Sequence, residues 1–70
     1  MEGIEVVNLK SLRMGSYFTL KDIREPKQNQ VYIKGKYDRN SKSFSCVKFS
    51  DINSERLIKA DKLVYVGFTF

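Results

Sequence analysis

Two alternating segments, residues 31–37 (Val-Tyr-Ile-Lys-Gly-Lys-Tyr) and 43–49 (Ser-Phe-Ser-Cys-Val-Lys-Phe), flank the polar stretch Asp38-Arg39-Asn40-Ser41-Lys42. No other feature of the chain limits its fold so strongly. A period of two places successive side chains on opposite faces of a strand. Asp and Asn bond to their own backbone and tolerate left-handed φ angles, so the intervening stretch has the chemistry of a hairpin turn. An isolated two-stranded ribbon is marginal in water, so the hairpin needs further strands to cover it.

The remaining sequence supplies candidates. Residues 4–9 form a short, partly apolar run suited to a first strand or to an arm lying on a barrel. Leu9 and Leu12, three apart, fit one helical or 3₁₀ turn that tucks both inward. Residues 16–21 alternate, with Phe18 and Leu20 as the inward set. Pro26 and the polar residues round it make 22–30 a long loop. Residues 50–55 resemble a polar turn, 56–59 a brief strand, and 62–70 a closing strand that ends on Phe70. The expected fold is all-β: one domain over residues 1–70, either a small five-stranded SH3-like barrel or a strongly curved antiparallel sheet, with at most one short helical turn. A chain of 70 residues has a thin core, and its nine aromatic side chains bury large areas per residue. The expected core is Phe18, Leu20, Val31, Ile33, Val47, Phe49, Val64, Val66 and Phe68.

The hairpin permits a register argument. A five-residue turn over 38–42 sets Tyr37 opposite Ser43, Lys34 opposite Cys46, Ile33 opposite Val47 and Tyr32 opposite Lys48. Residues directly opposite share a face. One face then collects Val31, Ile33, Gly35, Val47 and Phe49 and is expected to lie inward. The other collects Tyr32, Lys34, Lys36, Phe44, Cys46 and Lys48 and is expected to face solvent.

Charge points to the same segment. The net charge is +5, and between residues 31 and 49 Lys34, Lys36, Arg39, Lys42 and Lys48 stand against Asp38 alone. Lysines attract phosphates without regard to sequence, and flat aromatics between them give unpaired bases a stacking surface. The expected function is a small non-enzymatic binding module that binds nucleic acid weakly, single strands being one candidate form, through Tyr32, Lys34, Lys36, Arg39, Lys42, Phe44 and Lys48. The alternative is a protein-interaction module, a small adaptor or inhibitor, docking an acidic protein surface on the same face. A third reading gives the lysines no partner, because they also keep a sheet soluble and discourage edge pairing.

The chain contains no histidine and one cysteine, which removes the usual general base, the usual imidazole ligand and any internal disulfide. Cys46 is expected to be a small packing residue, although a neighbouring lysine can lower a thiol pKa. The carboxylates Asp22, Glu25, Asp51 and Glu55 fall in polar turns that would not raise their pKa. No catalytic residue, metal, cofactor or small-molecule substrate is therefore expected. Residues 1–5 lack the basic and apolar blocks of a signal peptide, and no apolar run approaches the ~18 residues of a membrane span. A reducing, cytoplasmic setting without membrane contact is expected.

Overall fold

A computed structural model describes residues 3–68, in which the alternating segments become strands of one antiparallel sheet. The strands are β1 (Glu5–Asn8), β2 (Tyr17–Thr19), β3 (Val31–Asp38), β4 (Ser43–Lys48), β5 (Asp51–Lys59) and β6 (Leu63–Val66). Their order across the sheet is β1-β6-β2-β3-β4-β5, so β1 and β5 are its two edges. The fold is all-β as expected, but the described residues form six strands where five were expected, two single 3₁₀ turns where at most one was, and an open sheet in place of a closed barrel. Single 3₁₀ turns occupy Leu9–Ser11 and Gln28–Gln30. The first is where the leucine spacing places a turn: Leu12 N donates to Leu9 O at 3.1 Å, and Leu9 is completely buried. Phe70, expected at the end of the last strand, lies outside the described residues.

The central hairpin begins in the expected register, with Tyr32 opposite Lys48, Ile33 opposite Val47 and Lys34 opposite Cys46. It then slips. Tyr37 pairs with Phe44 and Asp38 with Ser43, so the connection shortens to residues 39–42. The cause is Gly35. A Cβ there would overlap the Ser45 carbonyl oxygen, so the strand can make this close approach only with glycine, as at many strand irregularities. Lys42 closes the turn with φ of 54°, and Asp38 steadies it by accepting from the Asn40 amide at 3.1 Å.

Residues 50–55, expected as a turn, largely join β5, the longest strand at nine residues. Val47 pairs with Glu55 but Lys48 pairs with Asp51, so Ile52, Asn53 and Ser54 are the extra residues of a bulge. An edge strand needs only one apolar face, and β5 buries Ile58 alone. Its polarity therefore mimics turn composition.

The orientation of the hairpin is opposite to the expectation. The main core consists of Leu9, Phe18, Tyr32, Cys46, Ile58 and Val64, with Val7, Leu12, Leu20, Phe44 and Val66 packed against it. Tyr32, Lys34, Phe44 and Cys46 thus belong to the inward face. Ile33, Val47 and Phe49 lie half-buried on the opposite face, where the Phe49 ring meets Tyr17 edge-on at 5.6 Å. Phe18, Val31 and Val64 are fully buried as expected, whereas Phe68 is only half-buried. Side chains from distant segments decide the matter. Phe18 stands opposite Tyr32 with its ring stacked on the tyrosine at 5.9 Å, and Leu9, Ile58 and Val64 join that side.

Candidate nucleic-acid interface

Of the seven residues expected at the interface, four are drawn into or towards the core. Tyr32 is 8% exposed, accepts a hydrogen bond from Arg56 Nη1 at 3.4 Å, and has the Arg56 guanidinium 5.9 Å from its ring. Lys34 is 5% exposed; its ammonium donates to the Leu12 carbonyl and sits 4.0 Å from the centre of the Phe44 ring. Burial holds this ammonium below its ordinary value of 10.5, against a weaker opposing pull from Cys46. Phe44 is half-buried between that ammonium and Tyr37, whose ring centre lies 5.0 Å away. Lys48, half-buried, lies opposite Tyr32 on one side and Asp51 on the other. A lysine can be accommodated in this way because its four-carbon stem packs like an apolar chain while a carbonyl and an aromatic face receive the charged tip.

Cys46 is fully buried, and its thiol lies 3.6 Å from the Phe44 carbonyl oxygen. Burial raises its pKa above 9.0 despite the backbone bond from Gly35 and the nearby Lys34 and Arg56 charges. A thiol held in its neutral form is a poor nucleophile. Among the described residues, no three of Asp, Glu and Cys gather as a metal site would require.

Lys36, Arg39 and Lys42 are exposed, as expected, at the turn end of the hairpin. There the fold adds cations that are distant in the sequence. Ala60, in the β5–β6 connection, donates its amide to Lys42 O at 3.1 Å and accepts the Lys10 amide at 3.0 Å. Leu9 N donates to Lys62 O at 3.0 Å beside it. These backbone bonds tie three chain segments together. Lys10, Lys42, Lys59, Ala60, Asp61 and Tyr37 consequently line one shallow depression of about 560 Å³. Lys59 Nζ donates to Ser41 O at 3.3 Å on its rim, and Tyr37 is 48% exposed. Three lysines against a single aspartate make the depression a cationic one. Sequence reasoning missed Lys10, Lys59 and Tyr37. The two lysines carry no local signal, but the glycine inside β3 was a sign that the alternation breaks before Tyr37.

The fold and this surface define an all-β, single-sheet protein with a basic depression, lined in part by Tyr37, at the turn end of the central hairpin. Comparison with protein-family models, curated proteins and solved structures returns no match. No helix among the described residues is long and apolar enough to cross a membrane.

Proposed function

We propose that this protein is a non-enzymatic binding module that holds single-stranded nucleic acid in the depression at the turn end of the central hairpin. The observation that carries the proposal is the convergence of Lys10, Lys42 and Lys59, from three separate segments, round the exposed Tyr37. Cations spaced round a concave surface focus their potential on a passing polyanion. Tyr37 adds a π-face for one unpaired base, and Phe44 behind it limits the ring's freedom before binding. Lys36 and Arg39, exposed nearby, extend the positive field. Relative to the expected site, the reading retains Lys36, Arg39 and Lys42. It reassigns Tyr32, Lys34 and Phe44 to the core and to the support of Tyr37, and drops the half-buried Lys48. A buried neutral thiol and the lack of any disulfide suit a reducing compartment such as the cytoplasm.

The test is a titration of a fluorescent single-stranded oligonucleotide at low salt, with an acidic peptide of equal charge as comparator. Tyr37→Ala is expected to weaken oligonucleotide binding by about 1–3 kcal/mol and to leave peptide binding almost unchanged. Equal loss for both ligands would identify an acidic protein surface as the target instead. Absence of oligonucleotide binding at low salt would remove the proposal.

A further inference from the structure

The edge strand β5 is the longer of the sheet's two edges. It pairs with β4 on one side only, and alternate residues of an edge strand turn their N–H and C=O groups outward. Soluble proteins blunt such edges by keeping them short, by placing proline or a β-bulge in them, or by lining them with charged side chains; the bulge in β5 is confined to 52–54 and leaves 55–59 regular. The other edge, β1, is short at four residues, whereas β5 has nine and no proline. Its charges are of mixed sign. Beyond the bulge at 52–54, the regularly paired stretch of β5 is Glu55-Arg56-Leu57-Ile58-Lys59.

That stretch is complementary to itself about its central residue. When two copies align antiparallel with a two-fold axis through Leu57, Leu57 meets Leu57 of the partner subunit. Glu55 meets Lys59 of the partner subunit, Lys59 meets Glu55 of the partner subunit, and Arg56 lies opposite the partner subunit's Ile58. Leu57, 52% exposed, shares a face with Glu55 and Lys59, because Leu57 pairs with Ser45 and Glu55 with Val47. The apolar contact would thus be bracketed by two opposite-charge pairs on one continuous face, an arrangement that stabilises cross-strand pairing. Neighbouring registers fail. A two-fold at Glu55 opposes two carboxylates, and one at Arg56 opposes two guanidinium groups. One at Ile58 centres on a side chain already buried in the core at 6% exposure, and forms no opposite-charge pair within the stretch.

We propose that β5 pairs with β5 of a second copy of this chain, through Glu55–Lys59 with Leu57 on the two-fold axis, to form one continuous sheet across a homodimer. This goes beyond the nucleic-acid reading: Lys59 is shared between the depression and the new interface, whereas Lys10, Lys42 and Tyr37 stay outside it, and the dimer is tested without nucleic acid. Occupation of the same edge by an extended segment of another protein is the competing outcome, and it would leave the purified chain monomeric.

The test uses the whole purified chain without nucleic acid, with mass measured by light scattering after size exclusion. At ~100 µM, where a micromolar dimer is nearly saturated, the expected mass is twice the 8.2 kDa of one chain. Leu57→Lys sets two ammonium groups on the axis and is expected to give monomer. Glu55→Lys alone and Lys59→Glu alone each set like charges opposite one another twice, and each is expected to weaken the dimer about tenfold. The double reversal, Glu55→Lys with Lys59→Glu, restores opposite charges and is expected to restore the dimer. All three positions are exposed, so circular dichroism should report a native fold in every variant. A monomeric wild type, a dimer indifferent to Leu57→Lys, or a double reversal no tighter than its singles would each overturn the proposal.

Discussion

Replacing Lys34 separates a core lysine from a ligand-binding one. Its side chain is 5% exposed, with the ammonium on the Leu12 carbonyl and over the Phe44 ring. Lys34→Met keeps a stem of similar length and removes the charge. The lost hydrogen bond from a charged group is worth about 1.5–3 kcal/mol, and the lost cation–ring contact about 1–2 kcal/mol. Against this, the fold no longer has to desolvate an ammonium, which costs several kcal/mol for a wholly buried ion. The terms nearly cancel, so Lys34→Met is expected to stay within about 1–2 kcal/mol of wild type. Lys34→Ala loses the same contacts and the packing of the stem, and buried Met-to-Ala truncation costs about 2–5 kcal/mol. At a position beside half-buried neighbours, a gap of about 2–3 kcal/mol between the two variants is expected. A 70-residue domain has roughly 3.5–10 kcal/mol in total, so the alanine variant should be visibly marginal in urea denaturation. Oligonucleotide affinity of the methionine variant should match wild type. Exposed substitutions usually stay within about 0.5 kcal/mol. A methionine–alanine gap that small, or a methionine variant that binds weakly, would refute the inward placement of Lys34.

Phe18→Ala removes a fully buried ring stacked on Tyr32 and should cost about 3–5 kcal/mol, leaving little or no cooperative melting transition; a near-native melt would show that β2 is misplaced. Gly35→Ala should destabilise the hairpin because its Cβ meets the Ser45 carbonyl, read as early amide exchange in residues 31–48; unchanged protection would refute the close approach. Cys46 and Lys34 should act oppositely in alkali. Burial keeps Cys46 protonated in the fold past its ordinary 9.0, so the unfolded chain loses that proton first and stability falls as pH rises beyond about 9. Lys34 loses its proton earlier in the fold than at its ordinary 10.5, so its contribution rises with pH below that value. Cys46→Ala should therefore remove the alkaline loss and leave a flat or rising stability curve, measured by denaturation between pH 8 and 10.5; a decline identical to wild type would contradict the buried thiol.

The hairpin, its first three cross-strand pairs and the Leu9 turn were legible because each rests on local chemistry. The choice of face was not. Val31, Ile33, Val47 and Phe49 line one side of the hairpin, and Tyr32, Phe44 and Cys46 the other. Either set could serve as a core, and alternation alone cannot rank them. The choice lies with Leu9, Ile58 and Val64, each contributed by a different distant segment. Lys34 misled for a related reason: a lysine signals solvent by type, yet here its stem is packed and its tip is met by Leu12 O and Phe44. The depression divides in the same way. Lys42 and the turn cations were readable from a local charge cluster, but Lys10 and Lys59 reach it only through the backbone bonds of Ala60 and Lys42. Tyr37 depended on a one-residue slip at Gly35, which moved it from opposite Ser43 to opposite Phe44.

The most direct test of the basic depression is the salt dependence of single-strand binding, wild type against a combined Lys10→Gln, Arg39→Gln and Lys42→Gln variant. This variant leaves Glu55, Leu57 and Lys59 intact, so the β5 edge is unaffected. Each phosphate neutralised on a single strand contributes about −0.7 to the slope of log K against log salt, so three contacts give about −2. The wild-type slope should be −2 or steeper. The variant should remain folded, bind more weakly at low salt, and show a slope shallower by about 2. A variant with the wild-type slope and affinity would contradict the assignment of the depression as the nucleic-acid site.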